Sequence, residues 1–572
     1  MTPGSCFTRA AANLALTIAL PVAAQVPVRV DTGIPVPMRD SVVLRADLYR
    51  PARAGRFPVL VYRTPYGRTD TTGGSPLILA AVRRGYAVLL QDVRGRYASG
   101  GVFEPYRGEG KDGYDTIEWA ARQPWSNGAV GTFGLSYPAA VQWLAAVEHP
   151  PSLKAMVPAM TFSTPQSFWY SGGVWDGSWL DWTWFNIAPD LRSRLHMAGP
   201  RTSDEVAAAW KRDGDAARRY RPMLDLPDFQ RVAPWYYEWM RHPPGDDYWS
   251  FATLPGHYDR VDAAVLNLSG WFDEAYGPVG AVENFQGAGD ALVLGPWTHG
   301  VAAVQRTKAG EREFGPTASL DYTRTVLDWM DRHVRGVDSV PASPPVRVFV
   351  MGANQWRSAD RWPFPGVGAD TLYLQQRGGG EAGKLEGERP ASGAGATIRS
   401  DPAHPVTDPF EGKFGAHDYR ALRPGARVAV FQTAPFSAPL EIIGRVVIEL
   451  AASASVPDFD LWVQLFDVAP DGTAWNLSSA GTALQRASYR EGGPKRLLIE
   501  PGKTVRLRMD RMVTANRFLP GHRLRVVITP QFYPLFSVNP QTGVQEFESD
   551  SVRAGEIRIE SGSRMILPVV SF

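Results

Sequence analysis

The chain has 572 residues, which is too long for a single hydrophobic core and predicts two or three domains. Its composition is that of a globular protein, with 44% hydrophobic and 21% charged residues. A formal net charge of +2 offers no basic field for nucleic acid, which is therefore excluded as a partner.

The first residues have the pattern of a cleavable export signal. Arg9 supplies a positive charge, residues 10–20 form an apolar run too short to span a bilayer, and residues 22–24 (Val-Ala-Ala) offer a small-residue cleavage site. This pattern predicts a signal peptide over residues 1–24 and a periplasmic or secreted protein. The alternative is an N-terminus that is disordered or buried. No later apolar stretch is long enough for a membrane helix.

Cys6, the single cysteine, lies within this predicted signal. Its removal would leave a mature chain without a thiol, which excludes disulfides, a zinc–cysteine site and a cysteine nucleophile. The sequence has no phosphate-binding glycine loop, and we expect neither a cofactor nor a metal.

Strands and helices alternate from residue 39 onward. We predict strands over 39–51, 57–62, 87–90 and 129–133, and helices over 77–84, over 112–123 and from Pro138. This alternation predicts a mostly parallel sheet covered on both faces, with residues 25–160 as the first part of the core.

The segment Gly134-Leu-Ser-Tyr137 joins the last of these strands to its helix. A serine at a sharp strand-to-helix turn is a nucleophile elbow, in which a small preceding residue lets the backbone bend and the hydroxyl stands above the sheet edge. The N-terminus of the following helix favours negative charge at this point. Pro138 is compatible with a first helical turn, because its missing N–H has no intrahelical partner there. Ser136 is the candidate nucleophile, although Gly-x-Ser alone matches many unrelated proteins.

From Thr161 to about Leu254 the alternation stops, and the sequence becomes aromatic and helical. An insertion between strands, placed above their ends, predicts a helical cap over the site, which we assign to residues 161–255. Trp169 and Trp175 are candidate substrate contacts. The alternative for any single tryptophan is that its ring only holds the insertion together.

The core resumes after the cap, over residues 256–340. Further strands of the core are predicted at 154–158, just before the cap, and at 264–268 and 291–294 after it, with an amphipathic helix at 320–334. Asp273 stands just past the second of these strands and His299 just past the third. Serine, then aspartate, then histidine is the chain order of α/β-hydrolases, where the histidine takes the serine proton and the carboxylate holds its tautomer. We therefore predict a triad of Ser136, Asp273 and His299.

A proline-rich stretch near residue 340 begins a segment with β character. Strands are predicted over 346–351, 371–374, 445–450, 461–465, 504–509, 524–528 and 556–559. Pro470-Asp-Gly and Pro520-Gly are turn signals between strands, as expected of a β-sandwich. We assign residues 341–572 to this domain.

Several segments along the mature chain resemble those of one family. They are Arg63-Thr-Pro-Tyr66, Gln91-Asp-Val-Arg-Gly-Arg96 with Ser99-Gly-Gly-Val-Phe103, Asp112-Gly-Tyr-Asp-Thr-Ile-Glu-Trp119, Gly134-Leu-Ser-Tyr137, Gly270-Trp-Phe-Asp273, Gly295-Pro-Trp-Thr-His299, Pro345-Val-Arg-Val-Phe-Val-Met-Gly352 and Gly521-His-Arg-Leu-Arg525. The chain resembles the CocE/NonD hydrolases, the cocaine-esterase-like branch of the X-prolyl dipeptidyl peptidase family of α/β-hydrolases. The resemblance implies an α/β-hydrolase core, an inserted helical cap and a C-terminal all-β jelly-roll (galactose-binding-like) domain.

The resemblance also implies an oxyanion hole. Tyr66, which follows the strand 57–62, would donate its hydroxyl to the oxyanion beside the backbone N–H of Tyr137. The alternative is a structural tyrosine at a strand end. The chain departs from the family at Ala139, where the family has glycine, and we expect this one methyl to adjust only helix packing.

The related α-amino-acid ester hydrolases carry an extra acidic group near the catalytic aspartate, which holds a substrate ammonium. This chain has Glu274-Ala-Tyr276 at that place, so an intact acidic cluster is not assigned. Glu274 and Tyr276 are candidate substrate contacts. Asp176, Asp181 and Glu274 are candidate anchors for an amine.

The leading function is hydrolysis of a small-molecule carboxylic ester or amide through an acyl-enzyme, with a carboxylesterase favoured. An X-Pro dipeptidyl-peptidase and an α-amino-acid ester hydrolase or β-lactam acylase are the alternatives. A non-catalytic carbohydrate-binding protein using the jelly roll is a remote alternative, because Ser136, Asp273, His299 and Tyr66 are all retained. The acyl group, the leaving group and the oligomeric state are not predicted.

Overall fold

The structure is a computed structural model that describes residues 27–69, 75–164, 168–376, 381–390, 393, 395–410 and 413–571. The predicted signal peptide and Cys6 lie outside the described residues. The signal peptide and the thiol-free mature chain therefore stay predictions. Within the described ranges, no helix combines the length and the apolar character that crossing a membrane requires.

The first part of the core alternates strands and helices as predicted. Its elements are β1 (Val28–Pro37), β2 (Val43–Pro51), β3 (Phe57–Thr64), α1 (Ser75–Arg83), β4 (Ala87–Asp92), α2 (Glu109–Ala121), β5 (Ser126–Leu135), α3 (Tyr137–Ala146) and β6 (Leu153–Ala159). Alternate residues of one strand face opposite sides, so Val59 and Val61 pack toward α2 and α3, whereas Leu60 packs toward α1. The sheet is therefore covered on both faces.

A mostly helical insertion follows β6. It contains β7 (Tyr170–Ser171), β8 (Val174–Trp175), α4 (Ser178–Trp182), a π-helical turn (Thr183–Ile187), α5 (Ala188–Arg194), α6 (Ser203–Arg219), α7 (Pro234–Arg241) and the 3₁₀ turns Met223–Asp225, Asp247–Ala252 and Tyr258–Arg260. A capping box between Thr202 and Glu205 starts α6, because each side chain accepts a backbone N–H of the other residue. This insertion covers the residues of the predicted cap.

The chain then returns to the core. The elements are β9 (Ala264–Phe272), α8 (Val279–Ala288), β10 (Ala291–Thr298), α9 (Val301–Val304), β11 (Lys308–Ala309), β12 (Arg312–Glu313), a 3₁₀ turn (Pro316–Ala318), α10 (Tyr322–His333), β13 (Val346–Val350) and β14 (Gln355–Ala359). In the part of the chain that the structure describes, ten strands form one sheet in the order β1-β2-β4-β3-β5-β6-β9-β10-β13-β14. The strands from β4 to β13 are parallel, and β1, β2 and β14 are antiparallel to their neighbours. This confirms the predicted α/β-hydrolase core.

The strand β13 lies beyond the predicted domain boundary at residue 341, yet it joins the core sheet. Val346 and Val348 pair in parallel with Leu292 and Leu294 of β10, so β13 extends the core sheet, and β14 closes its edge. The apolar pattern of residues 346–351 predicts a strand, and pairing with residues far away in the sequence decides which sheet it joins. By sheet membership the core reaches residue 359.

The C-terminal domain is all β, as predicted. It contains β15 (Val367–Gln375), β16 (Gly383–Glu386), β17 (Ala396–Ser400), β18 (Ala429–Gln432), β19 (Leu440–Ala454), β20 (Asp460–Val468), β21 (Ala474–Asn476), β22 (Leu484–Arg486), a 3₁₀ turn (Ala487–Tyr489), β23 (Val505–Phe518), β24 (Arg523–Thr529), β25 (Gly555–Ile559) and β26 (Arg564–Val570). Over the described residues these twelve strands are joined by hydrogen bonds in one network.

The C-terminal domain also bonds to the cap. The backbone N–H of Arg486 donates to the carbonyl of Gly172 at 2.8 Å, and that of Gly177 donates to the carbonyl of Leu535 at 2.9 Å. Gly172 has φ of +53°, and a Cβ there would lie 1.7 Å from the carbonyl oxygen of Leu484, so a side chain is excluded. These contacts bring loops of the C-terminal domain to the active-site cavity described below.

Candidate active site

Ser136 occupies the sharp turn between β5 and α3. Its backbone has φ of +70° and ψ of −129°, a strained conformation that is rare for a residue with a side chain. Two residues earlier, Gly134 has φ of +151°, and a Cβ there would lie 2.5 Å from the Cβ of Pro138. Glycine is thus required at this place, and the turn has the form of the predicted nucleophile elbow.

His299 and Asp273 follow β10 and β9, which are parallel neighbours in the sheet. Because the carboxyl ends of parallel strands meet at one edge, the two side chains approach each other. His299 Nδ1 lies 2.8 Å from Asp273 Oδ1. Asp273 is fully buried and also accepts the backbone N–H of Ala275 at 3.2 Å. The carboxylate therefore favours the tautomer of His299 with a proton on Nδ1, which leaves Nε2 free to accept one.

Electrostatics at His299 favour its charged form. Burial lowers the pKa of His299, but the charge and hydrogen bond of the Asp273 carboxylate and the charge of Glu274 outweigh burial and raise it above its ordinary value. Glu274 also accepts the backbone N–H of His299 at 3.0 Å, so its carboxylate holds the loop that carries the imidazole. Burial in turn raises the pKa of Glu274.

A cavity of about 650 Å³ lies over the ends of the core strands. Ser136, His299, Tyr66, Glu274 and Tyr276 all line it. The cap contributes Trp179, Trp182 and Phe185, and the C-terminal domain contributes Phe414 and Leu535. The volume is that of a small-molecule site, and the wall combines aromatic rings with a few polar groups, as is typical of ligand pockets.

Tyr66 stands directly after β3, with its hydroxyl in this cavity wall. The phenol oxygen accepts a hydrogen bond from Trp182 Nε1 at 3.1 Å. Burial raises the pKa of Tyr66, and its interactions with Trp182 and with the hydroxyl of Ser136 oppose this rise. The phenol therefore stays protonated at neutral pH and can donate toward Ser136.

The side chain of Tyr137 has a structural role, whereas its backbone N–H is available for hydrogen bonding. Its hydroxyl donates to Glu109 Oε1 at 2.8 Å and accepts the backbone N–H of Tyr106 at 2.9 Å. Glu109 in turn pairs with Arg63 at 2.8 Å, and both side chains are buried. As the first residue of α3, Tyr137 has a backbone N–H with no acceptor within the helix. The side chain anchors the elbow and leaves the N–H beside Ser136.

Comparison with known proteins assigns the chain to a family. Residues 40–301 match the family described as X-Pro dipeptidyl-peptidase (S15 family), and residues 339–565 match the X-Pro dipeptidyl-peptidase C-terminal non-catalytic domain. The cocaine esterase of Rhodococcus sp. (strain MB1 Bresler) is 32% identical over 573 residues, covering 95% of this chain and 98% of that protein. The chain belongs to the S15 family. It is a serine hydrolase, and its resemblance to the cocaine-esterase-like branch is confirmed.

Two solved structures share the fold of this S15 hydrolase over nearly all of its length. An aminopeptidase from the marine sediment archaeon Thaumarchaeota archaeon has a TM-score of 0.79 at 24% identity, covering 99% of this chain and 100% of that chain. An α-amino acid ester hydrolase has a TM-score of 0.77 at 24% identity, covering 98% and 100% respectively. These likenesses confirm the predicted fold class.

Trp169 and Trp175, the predicted tryptophan contacts, do not line the active-site cavity of the S15 hydrolase. Both are fully buried. Trp169 packs against Trp249 with ring centroids 4.4 Å apart, and Trp175 packs against Tyr170 at 5.2 Å. Their geometry therefore supports the alternative that these rings hold the cap together, and the cavity receives Trp179 and Trp182 instead.

The three candidate amine anchors all line the cavity but differ in their partners. Asp181 pairs with Arg218, and Glu274 is engaged by the His299 backbone. Asp176 is buried and accepts the Ser178 N–H at 2.8 Å, and within the described ranges no cation forms an ion pair with it. Burial raises the pKa of Asp176 to about 7 against the Ser178 hydrogen bonds.

Tyr276 has a partner that sequence reasoning missed. Its hydroxyl lies 3.1 Å from that of Tyr106, and its ring centroid lies 5.7 Å from that of His299. Burial raises the pKa of Tyr276, which also interacts with the Ser136 hydroxyl. Tyr66 and Tyr276 thus both interact with the Ser136 hydroxyl in the same cavity. Nothing in the sequence near Tyr106 indicates this contact.

The described residues contain no group of three or more histidine, cysteine, aspartate or glutamate side chains arranged to hold a metal ion.

Proposed function

We propose that this S15 hydrolase is a carboxylesterase that forms an acyl-enzyme on Ser136, with His299 as the base and Asp273 as its orienting carboxylate. The observation that carries the proposal is the 2.8 Å contact between the buried Asp273 and His299, which lines the same cavity as Ser136. The name of the 32% identical relative, cocaine esterase, supports an ester as the substrate.

Acylation begins when His299 Nε2 accepts the proton of the Ser136 hydroxyl as the oxygen attacks the ester carbonyl. The new C–O bond gives a tetrahedral oxyanion, and the imidazolium is stabilised by the Asp273 carboxylate. His299 then gives its proton to the leaving alkoxide, the carbonyl re-forms, and an alcohol departs. Water repeats the sequence in the second half, with His299 as base again, and releases the carboxylic acid and free Ser136.

The oxyanion would be bound by two donors. One is the hydroxyl of Tyr66, which stands in the cavity wall and interacts with the Ser136 hydroxyl. The other is the backbone N–H of Tyr137 at the N-terminus of α3. Both donors are held in place before the reaction, Tyr66 by Trp182 and Tyr137 by Glu109, so little reorganisation is needed when charge develops.

A second candidate, hydrolysis of α-amino esters or amides, is favoured by Asp176. A buried carboxylate in the cavity wall, without an ion pair among the described residues, could hold a substrate ammonium. The raised pKa of Asp176, about 7, means that such binding would strengthen as pH rises through neutrality. The aromatic wall contributed by Trp179, Trp182 and Phe185 suits either substrate class, and the ester stays the leading one because of the name of the relative.

Fluorophosphonate labelling tests the nucleophile. The reagent should modify wild type at Ser136 and leave Ser136→Ala unlabelled and inactive, while Ser193→Ala, which changes an exposed serine of the cap, should be labelled and active like wild type. Labelling at another residue, or undiminished turnover of Ser136→Ala, would refute the acyl-enzyme proposal.

A substrate panel separates the two candidate functions. Wild type and Asp176→Asn should be compared on nitrophenyl esters, α-amino esters, β-lactam side-chain amides and X-Pro anilides. We expect neutral nitrophenyl esters to be cleaved best and to be unaffected by Asp176→Asn. A preference for α-amino substrates that is lost in Asp176→Asn would establish the second candidate instead.

We also propose export to the periplasm or medium, on the basis of Arg9 and the apolar run at residues 10–20. Mass analysis of the protein purified from its own cell should give an N-terminus near Gln25. An intact Met1 on protein recovered from the cytoplasm would contradict this assignment.

A further inference from the structure

A second concave site lies in the C-terminal domain. It is a groove of about 450 Å³ that shares no lining residue with the Ser136 cavity. Of the described residues, four arginines line it, Arg389, Arg506, Arg508 and Arg564, with Glu449 as the one acidic residue and Tyr373 as the one aromatic residue. We call this the arginine groove.

Strand register places these side chains on one face of the sheet. Tyr373 of β15 pairs with Arg564 of β26, Arg564 pairs with Glu449 of β19, and Glu449 pairs with Arg508 of β23. Directly opposed residues of neighbouring strands point to the same face, so these four form one row across four strands. Arg506 lies two residues before Arg508 and projects from the same face.

The arginine groove carries an excess of positive charge. Glu449 bridges two of its arginines, 2.6 Å from Arg508 and 2.7 Å from Arg564. Arg506 and Arg389 form no ion pair with any carboxylate in the described part of the chain. Arg508 also pairs with Asp510 at 3.2 Å, so Glu449 and Asp510 compensate Arg508 and Arg564, and the charges of Arg389 and Arg506 stay uncompensated in one concave surface. Like charges held together repel, and an anion bound among them would relieve this repulsion.

The side chains that line the arginine groove also match a particular type of anion. A phosphate monoester carries a charge of about −2 at neutral pH and three acceptor oxygens, which suits the two arginines that lack a carboxylate. Guanidinium groups bind phosphate through paired N–H donors. A carboxylate, with a single negative charge, would neutralise only one of the two arginines. The groove volume exceeds that of a phosphate alone and lies in the range of small-molecule sites, and Tyr373 offers a ring to the rest of the ligand.

We propose that the arginine groove is a binding site for a phosphate monoester. Arg389 and Arg506 neutralise the phosphate, and Glu449 holds Arg508 and Arg564 beside one another as further donors. The ester can belong to a soluble metabolite or to a phosphomonoester lipid headgroup, because the phosphate chemistry is the same. The site is independent of the esterase chemistry at Ser136.

The test is calorimetric titration of the full chain with glucose 6-phosphate and with inorganic phosphate, and sedimentation with vesicles containing phosphatidic acid. The groove variant Arg389→Gln/Arg506→Gln removes the two arginines that lack carboxylates. The matched control Arg361→Gln/Arg553→Gln removes the same charge from exposed arginines outside the groove. Nitrophenyl ester hydrolysis and thermal melting report the fold of each variant.

Wild type and the control should bind at least one of the phosphate probes, and the groove variant should bind at least about tenfold more weakly, because two charge-assisted contacts are lost. Binding should weaken as salt is raised. Loss of vesicle binding alone in the groove variant would support the lipid source, and loss of glucose 6-phosphate binding would support the soluble source. Absence of binding to every probe by wild type, or equal loss in the control, would overturn the proposal. An esterase rate that is the same in all three proteins shows that such a failure does not concern Ser136.

Discussion

The substitution Tyr66→Phe tests whether the hydroxyl of Tyr66 acts in catalysis or only supports the structure. The substitution keeps the ring, which packs edge-on against Tyr137 with centroids 6.5 Å apart. It removes only the hydroxyl, which accepts the Trp182 indole N–H at 3.1 Å and interacts with Ser136. The change therefore removes the proposed oxyanion donor and the acceptor of the Trp182 hydrogen bond.

The two roles predict effects of different size on different quantities. Loss of an oxyanion donor raises the barrier to acylation by about 2.7–4 kcal/mol, a decrease of roughly 100- to 1000-fold in rate, with little change in substrate binding. Loss of the Trp182 hydrogen bond costs about 0.5–1.5 kcal/mol of folding free energy, and Trp182 is only half-buried, so its N–H can bond to water. Residual activity should persist, because the N–H of Tyr137 remains.

Stopped-flow acylation with a nitrophenyl ester, together with thermal melting, measures both quantities. Tyr170→Phe is the control, because it removes a buried cap hydroxyl that bonds to the Trp239 carbonyl at 3.2 Å and lies outside the active-site cavity. The control should lose stability and keep its acylation rate. If acylation by Tyr66→Phe falls by less than about threefold, a small part of the effect of a lost donor, Tyr66 does not stabilise the oxyanion.

Three further predictions concern the same site. Glu274→Gln should move the acidic limb of the pH–rate profile to lower pH, because the Glu274 charge raises the pKa of His299, and His299 must be neutral to act as a base; an upward or absent shift would contradict this electrostatic role. Tyr276→Phe should slow acylation by about two- to twelvefold at unchanged KM, since one hydrogen bond near Ser136 is lost, and an increase in KM alone would indicate a substrate contact instead. Gly134→Ala should lower both the melting temperature and the yield of fluorophosphonate-labelled enzyme, because its Cβ would lie 2.5 Å from Pro138; wild-type labelling and melting would show that the turn relaxes without cost.

The local pattern of the chain was sufficient for most of the core. Continuous apolar runs predicted the buried parallel strands, and the structure has them within a few residues, as at β4 and β9. Ser136, Asp273 and His299 could be proposed together because each stands at the carboxyl end of a strand, and parallel strands bring such ends to one edge. The contact between His299 and Asp273 follows from that rule, since β9 and β10 are neighbours.

Tertiary contacts decided which sheet a strand joins and which residues line the cavity. Residues 346–350 have the same apolar pattern in either domain, and only pairing with β10 assigns them to the core sheet. Phe414 and Leu535 reach the cavity from the C-terminal domain, which no local pattern indicates.

The sequence by itself determined which residues stand at the ends of strands. Strand formation and the order of residues along the chain can both be recognised from short sequence patterns. What only the tertiary structure decided is which aromatic rings meet the substrate cavity. Trp169 and Trp182 lie in the same aromatic segment, and the sequence does not distinguish them. Their roles differ because Trp169 packs into the interior of the cap while Trp182 bonds to Tyr66, and the direction of a side chain depends on partners far away in the chain.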